Sequence, residues 1–171
     1  MNRTLILMRH AKSDWDSQAQ SDRERPLNKR GRKDAPRMGR WLGRAQLIPD
    51  QIYSSPSLRT RQTVDLLRQE IELKDSNIAW VDGLYHPDME TFLSLVGKAE
   101  EGWGTLMLVS HNPGLEELLL HLSDDYPPLS ETGKLLPTGA VAVLVSESEH
   151  WSVARESYTL EKLVRPRELE D

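Results

Sequence analysis

Apolar positions along the chain follow two patterns: short continuous runs typical of buried strands, and the i, i+3, i+4 spacing typical of amphipathic helices. The runs predict six strands, at residues 5–8, 51–54, 78–81, 105–110, 140–145 and 151–158. The helical spacing predicts four helices, with the apolar faces Met38-Trp41-Leu42-Ala45, Val64-Leu67-Ile71, Phe92-Leu95-Val96-Ala99 and Leu115-Leu118-Leu119-Leu122. Strands that alternate with helices predict a single-domain three-layer α/β/α sandwich. Its central sheet is mostly parallel, with an antiparallel edge made by the last two strands.

Polar caps and prolines mark the ends of the predicted helices. Ser55-Pro56 and Asn112-Pro113 predict that the second and fourth helices start directly after strands. The first helix has two possible starts, an early one capped by Asn28 with Pro36 inside the helix, or a regular one near Pro36. Residues 165–171 are rich in charge, which predicts a domain over residues 1–164 followed by a loose tail.

Composition narrows the class of protein. Of the 171 residues, 37% are hydrophobic and 29% are charged, which is typical of a globular domain. The chain has no cysteine, which excludes disulfides, zinc-thiolate sites and a thiol nucleophile. No run approaches the roughly 20 apolar residues of a membrane helix, and nothing resembles a signal peptide, so we expect a cytoplasmic location. The net charge of -5 argues against bulk binding to nucleic acid or to an anionic membrane.

Two histidines follow two of the predicted strands directly. Arg9-His10 follows the first strand and His111 follows the strand at 105–110, while Arg59 lies in the segment after the strand at 51–54. Ligands of open α/β sheets bind at the carboxyl ends of the strands, so these side chains are expected to line one pocket. Arg-His at a strand end is by itself usually only a polar strand end. The combination of all three segments is what predicts a site.

The residue types at these strand ends suit a phosphoryl group. Helix amino ends and arginine guanidinium groups both favour phosphate oxygens. Without cysteine, a neutral histidine nitrogen is the natural nucleophile toward phosphorus, and we assign this role to His10. His111 is expected to donate to the phosphoryl oxygens, and Arg9 and Arg59 to stabilise their charge during transfer.

Other charged and histidine residues have simpler interpretations. His86, His121 and His150 show no metal-ligand spacing and are predicted to be surface or packing residues. The basic stretch from Arg23 to Arg44 is interpreted as a solvated helix face rather than a docking site for an acidic protein.

Five segments in order carry a resemblance to a known family. They are Leu7–Ala11, Ser21–Asn28, Ser55–Thr63, Val109–Pro113 and Leu136–Gly139. The chain resembles the histidine phosphatase superfamily, and within it the small SixA-like phosphohistidine phosphatases. The first segment is similar to the family's Arg-His-Gly signature, the third to its Ser-Pro-x-x-Arg-x-x-Gln-Thr segment and the fourth to its second-histidine motif.

The resemblance implies a phosphoglycerate mutase-like fold and a metal-independent phosphatase without a cofactor. It implies His10 as phospho-acceptor, with Arg9, Arg59 and His111 binding phosphate and Arg25 as a further substrate-binding residue. The expected partner is a phosphorylated protein carrying phosphohistidine, or a small phosphorylated substrate, with neither nucleic acid nor membrane involved.

Two departures from the family pattern bear on the chemistry. Ala11 replaces the signature glycine, which we expect to be tolerated if the backbone there is ordinary. No residue matches the glutamate that many members use as general acid, and Asp14, Asp82 and Asp88 are candidates by position only. An ester oxygen leaves poorly without an acid, whereas a protonated phosphoramidate nitrogen leaves more easily, so this absence favours P–N cleavage.

Two other functions stay open at this point. One is a phosphomonoesterase or mutase for a small metabolite, and the other is a phosphate-binding module without turnover. The short segment between Asp82 and Glu90 predicts an open pocket, which suits a protein side chain better than an enclosed sugar phosphate.

Overall fold

The computed structural model describes residues 2–169, and six strands within them form one sheet. The strands are β1 (Arg3–Arg9), β2 (Gln51–Ser54), β3 (Ile78–Trp80), β4 (Thr105–Ser110), β5 (Val141–Ser146) and β6 (Thr159–Val164). The α-helices in this part of the chain are α1 (Lys29–Arg44), α2 (Leu58–Ile71), α3 (Met89–Gly97) and α4 (Gly114–Leu122). Short 3₁₀ helices cover Asp22–Glu24, Asp75–Asn77, Asp82–Leu84 and Pro166–Glu168.

The strand order in the sheet is β3-β2-β4-β1-β5-β6. The ladders from β3 to β1 are parallel, β5 runs antiparallel to β1, and β6 pairs antiparallel with β5. The predicted mostly parallel sheet with an antiparallel edge pair is therefore confirmed. In the central ladder Arg9 is paired with Ser110, so the residues that follow β1 and β4 emerge side by side.

Helices cover both faces of the sheet, because successive residues of each buried strand point to opposite sides. Leu5 and Leu7 of β1 join the hydrophobic cluster that includes α3 and α4. Ile6 and Met8 join the cluster that includes α1 and α2. The two clusters make the three-layer architecture, and the strand alternation along β1 is what divides them.

The helix starts differ in part from the predicted ones. The early start of α1 is the correct alternative, since the side chain of Asn28 accepts from the Gly31 N–H at 2.9 Å and Pro36 lies inside the helix. The predicted start of α2 at Ser55-Pro56 is wrong, because the helix begins at Leu58 after the N-cap Ser57. Similarly, α4 is preceded by Pro113 as N-cap instead of Asn112.

The predicted strand over residues 151–158 is also wrong, and the last strand is β6, from Thr159. Trp151 and Tyr158 are buried by packing between loops, and Tyr158 pairs only as an isolated β-bridge with Ser123. The Trp151 indole N–H donates to the Glu100 carbonyl at 3.2 Å. A turn with Glu156 at φ 57° separates the two aromatic residues, which interrupts an extended backbone.

The chain remains anchored beyond residue 164, so the predicted loose tail does not begin at Arg165. Arg165 and Pro166 are buried. The Arg165 guanidinium donates to the Pro128 carbonyl at 2.6 Å and to the Leu135 carbonyl at 3.1 Å. Tertiary hydrogen bonds of this kind are invisible in a charged local sequence. Residues 170–171 of the predicted tail lie outside the described part of the chain.

Candidate active site

The two histidines predicted to share a pocket lie side by side at the carboxyl ends of β1 and β4. The ring centroids of His10 and His111 are 5.1 Å apart. Only 5% of His10 and 7% of His111 is exposed. The parallel register of the two strands causes this proximity, since residues a hundred positions apart leave the sheet at the same level.

The ring of His10 is held by its own backbone neighbour. Its Nδ1 lies 2.8 Å from the Ala11 carbonyl oxygen, which fits an Nδ1–H donor and leaves Nε2 without a proton. The backbone is fixed as well, because the Gly139 N–H donates to the His10 carbonyl at 2.9 Å. This arrangement presents one imidazole nitrogen with a free lone pair.

Ala11 fits where the family signature has glycine. Its φ is not in the positive region, so the methyl group causes no backbone strain. The methyl is fully buried in a small cluster with Leu27 and Ala35, and the Ala11 N–H donates to Thr63 Oγ1 at 3.0 Å. The condition set for alanine to be tolerated, an ordinary backbone conformation at position 11, is therefore met.

Burial and neighbouring charge keep both imidazoles neutral. Desolvation by burial lowers the pKa of His10 well below 6.5, and His111, Arg9 and Arg59 lower it further. Burial, followed by the charge of Arg59, lowers the pKa of His111 to about 3. At neutral pH the pocket therefore combines two uncharged rings with permanently charged guanidinium groups.

Two of the arginines predicted for the site, Arg9 and Arg59, act electrostatically on both histidines, and the third, Arg25, is linked to Arg59 through Asp22. Arg59, in the first turn of α2, is 5% exposed. Arg9, Arg25 and Arg59 each keep a buried Nε–H with no hydrogen-bond acceptor among the described residues. Buried donors without an acceptor are costly, so the protein itself does not use the full hydrogen-bonding capacity of these three guanidinium groups.

Asp22 is the functional candidate that sequence reasoning missed. Its carboxylate accepts from Arg59 at 3.1 Å, from Arg25 at 3.2 Å and from the Tyr85 hydroxyl at 2.5 Å. The Tyr85 hydrogen bond and the two arginines lower the pKa of Asp22 to about 2. Desolvation acts in the opposite direction but is outweighed. The only sequence signal was its place in the Ser21–Asn28 segment. Asp22 links Arg25, predicted as a substrate-binding residue, to Arg59 through one carboxylate.

The wall around His111 consists of hydroxyl groups and one aromatic ring. His111 Nε2 lies 2.8 Å from Ser55 Oγ and 3.5 Å from Thr60 Oγ1. The Tyr85 ring packs edge-on against His111 with 5.6 Å between ring centroids, and His86 packs against Tyr85 at 4.1 Å. Ser55 therefore orients His111 instead of capping α2, which explains why the predicted helix start was wrong. Tyr85 carries no sequence signal that distinguishes it from a packing residue.

The three aspartates considered as general acids make other contacts. Asp82 is exposed and forms an ion pair with Arg23 at 3.1 Å. Asp88 accepts from the Thr91 N–H at 2.8 Å and caps α3. Asp14 accepts from the backbone N–H two residues later, at 2.8 Å. These contacts give Asp82 and Asp88 structural roles at the surface. The carboxylate that the structure does bring to the arginines is Asp22.

Residues 2–169 contain neither a cluster of metal ligands nor a helix that could span a membrane. Within that range no group of three or more histidine, aspartate or glutamate side chains has the geometry of a metal site. No helix in the same range is long and apolar enough to cross a bilayer. His121 and His150 contact Val153 and Glu101, away from the paired histidines.

Comparison with known proteins shows similarity over most of the chain. Residues 5–81 match the model of the histidine phosphatase superfamily (branch 1). An uncharacterized chloroplastic protein of Arabidopsis thaliana is 30% identical over 72% of the chain, and the aligned segment spans 60% of that relative's length. The structure is similar to the proposed phosphohistidine phosphatase SixA from Agrobacterium tumefaciens, with 26% identity, a TM-score of 0.74, and coverage of 96% of this chain and 98% of the other. It is also similar to that from Nakamurella multipartitia, with 26% identity, a TM-score of 0.77 and coverage of 97% of each chain.

Proposed function

We propose that the chain is a phosphatase that hydrolyses phosphohistidine on proteins. The proposal is supported by the match of residues 5–81 to the histidine phosphatase superfamily, by the likeness to the SixA structures and by the site geometry. The observation that carries the proposal is the pair of buried neutral imidazoles, 5.1 Å apart, beside arginines with unpaired Nε–H donors. The two structural relatives are themselves proposed phosphohistidine phosphatases, which supports this substrate.

In the first step the phosphoryl group moves from the substrate imidazole to His10. The hydrogen bond between His10 Nδ1 and the Ala11 carbonyl, 2.8 Å long, leaves the Nε2 lone pair to attack phosphorus. The P–N bond to the substrate breaks and its electron pair returns to the substrate ring. Because that ring carries a proton on its other nitrogen, it leaves as neutral imidazole.

In the second step water attacks the phosphorus on His10. The bond between phosphorus and Nε2 breaks, its electrons return to the ring, and the water protons stay with the released phosphate. His10 is then neutral again with its proton on Nδ1. Arg9, Arg59 and His111 contribute by stabilising the charge on the three phosphoryl oxygens in both steps. Arg25 contributes through Asp22, which it shares with Arg59.

The protonation states in the pocket favour a nitrogen leaving group over an ester oxygen. His10 is available as a nucleophile at neutral pH because burial and cations hold its pKa well below 6.5. Asp22, the carboxylate closest to the arginines in the hydrogen-bond network, has a pKa of about 2 and is ionised at neutral pH. An ionised carboxylate has no proton to donate to an alkoxide, whereas the imidazole of phosphohistidine needs none.

The direct test replaces the nucleophile and measures turnover and covalent labelling. His10→Ala is expected to abolish release of phosphate from phosphohistidine and to abolish transfer of ³²P to the protein. His150→Ala is the matched control, because His150 is an exposed histidine paired with Glu101 outside the pocket, and it should keep both activities. Circular dichroism establishes that both variants are folded.

Three outcomes would contradict the proposal in different ways. Activity that persists in a folded His10→Ala variant would refute His10 as the nucleophile. A strong preference for phosphate esters over phosphohistidine would replace the substrate with a phosphomonoester. Phosphate binding by the wild-type protein, without any labelled intermediate or turnover, would leave only a binding module.

A further inference from the structure

A groove of about 300 Å³ lies beside the histidine pocket. The segment after β1, the first turns of α1, the loop at residues 130–138 and the C-terminal segment at 165–168 form its walls. Six of its lining side chains are cationic and two are carboxylates; the cations are Arg9, Lys12, Arg30, Lys134, Arg165 and Arg167, and the carboxylates are Glu131 and Glu168. We call this feature the basic groove. Its excess of positive charge contrasts with the net charge of -5 of the whole chain.

Part of the positive charge in the basic groove is not used by the protein. Arg165 is bound by backbone carbonyls and by Glu168 at 3.3 Å, and Arg30 forms an ion pair with Asp34 at 3.3 Å. By contrast, the exposed side chains of Lys12, Lys134 and Arg167 form no ion pair or hydrogen bond within residues 2–169. These three cations are available to a ligand.

Arg9 joins the basic groove to the histidine pocket. Its guanidinium acts electrostatically on His10 and His111, and the same side chain lines the groove. It also donates to the Leu136 carbonyl at 3.3 Å, directly before the groove residues Pro137 and Thr138. An extended peptide advances about 3.3 Å per residue, so residues two or three positions from a phosphohistidine lie about 7–10 Å away from it. Because Arg9 is common to the pocket and the groove, the residues next to a phosphohistidine are the part of a substrate that faces the groove.

We propose that the basic groove binds an acidic segment next to the phosphohistidine of a protein substrate, and so selects substrates by charge. This inference rests on the proposed function and names a further determinant of its specificity. Carboxylates of a peptide complement the three available cations. A nucleic acid is a poorer fit, because none of the described residues that line the groove is an aromatic residue on which bases could stack.

Direct binding tests the basic groove independently of catalysis. A peptide rich in Glu and the same peptide with Gln at those positions, both without phosphohistidine, are titrated against the wild-type protein at low salt. Two exposed ion pairs predict about three- to tenfold tighter binding of the Glu peptide. The variant Lys134→Gln/Arg167→Gln is expected to lose this preference. The matched control Lys98→Gln/Arg155→Gln removes the same charge elsewhere on the surface and is expected to keep it.

Three outcomes of the binding experiment would contradict the inference. Equal binding of the Glu and Gln peptides would overturn the inference. So would an equal loss of preference in the control variant, since only net charge would then matter. Tighter binding of a single-stranded oligonucleotide than of the Glu peptide would replace the acidic protein segment with a nucleic acid.

Kinetics then relate the basic groove to turnover. With phosphohistidine peptides flanked by Glu or by Gln, the Glu peptide is expected to have a KM about three- to tenfold lower at the same kcat. The Lys134→Gln/Arg167→Gln variant should raise only the KM of the Glu peptide. Hydrolysis of both peptides with equal KM would overturn the inference and leave the proposed function intact. Hydrolysis of neither peptide would refute the proposed function, while the binding experiment decides on the groove.

Discussion

The two buried imidazoles are expected to make the protein sensitive to acid in a measurable way. In the unfolded chain a histidine titrates near 6.5, whereas the fold lowers the pKa of His111 to about 3 and that of His10 well below 6.5. Below about pH 6.5 the native protein therefore binds fewer protons at these two rings than the unfolded chain does. The free energy of unfolding rises with pH wherever the unfolded state binds more protons, so stability is lost as the pH falls below about 6.5.

The size of the effect follows from the titration of the unfolded chain. At pH 5 an ordinary histidine is almost fully protonated, and keeping one ring neutral costs about 2 kcal/mol relative to pH 8. For His111 this cost of about 2 kcal/mol is a substantial part of the roughly 5–15 kcal/mol that stabilises a typical domain, and His10 adds a cost of the same sign.

Urea denaturation at pH 8 and pH 5 measures this contribution. Between those pH values the wild-type protein should lose more free energy of unfolding than the variant His10→Gln/His111→Gln. The single variant His111→Gln should account for about 2 kcal/mol of the difference, and His10→Gln should change it in the same direction. The comparison with the variant removes the contributions of carboxylates, which are present in both proteins. An identical loss in the wild-type and double-variant proteins would refute the reasoning, because the rings would then accept protons in the native state as readily as in the unfolded chain.

Four further substitutions test individual contacts. Arg59→Lys keeps the charge but loses the planar fork of donors, and kcat/KM should fall by about 10²–10³, measured on phosphohistidine. Asp22→Asn removes a half-exposed carboxylate with a pKa of about 2. This substitution should lower the free energy of unfolding by about 1 kcal/mol at pH 7. The difference from the wild-type protein should vanish as the pH falls from 3.8 to about 2, and an unchanged difference at pH 2 would contradict this interpretation. Gly31→Ala places a methyl against the Lys12 carbonyl and should destabilise the protein by about 1–3 kcal/mol in thermal or urea unfolding. Gly43→Ala, in the same helix with 3.6 Å to the nearest side chain, should instead stabilise by about 0.5–1 kcal/mol, and equal effects of the two glycine variants would exclude the clash.

Most elements of the fold were predictable because their signals are local. The apolar runs of β1 and β4 are continuous over residues that are buried on both faces, and buried strands of a parallel sheet have this pattern. The boundaries were less predictable, and Ser55 shows why. A serine before a proline resembles a helix cap, but the Ser55 hydroxyl is used by His111, which lies 56 positions later in the chain. The helix α2 begins three residues later, at Leu58.

The sequence alone determined which side chains could take part in the chemistry and at which strand ends they lie. Arg9, His10 and His111 directly follow apolar runs, so they lie at the carboxyl ends of their strands. Whether they lie next to each other depends on the order and direction of these strands in the sheet. The tertiary structure determined the hydrogen-bond partners and the pKa values of these groups. The pairing of Asp22 with Arg59 and the burial that lowers the pKa of His10 both need residues from distant segments to meet. Hydrogen bonds and desolvation act over a few ångströms in space, and no local pattern of residues reports which segments become neighbours at that range.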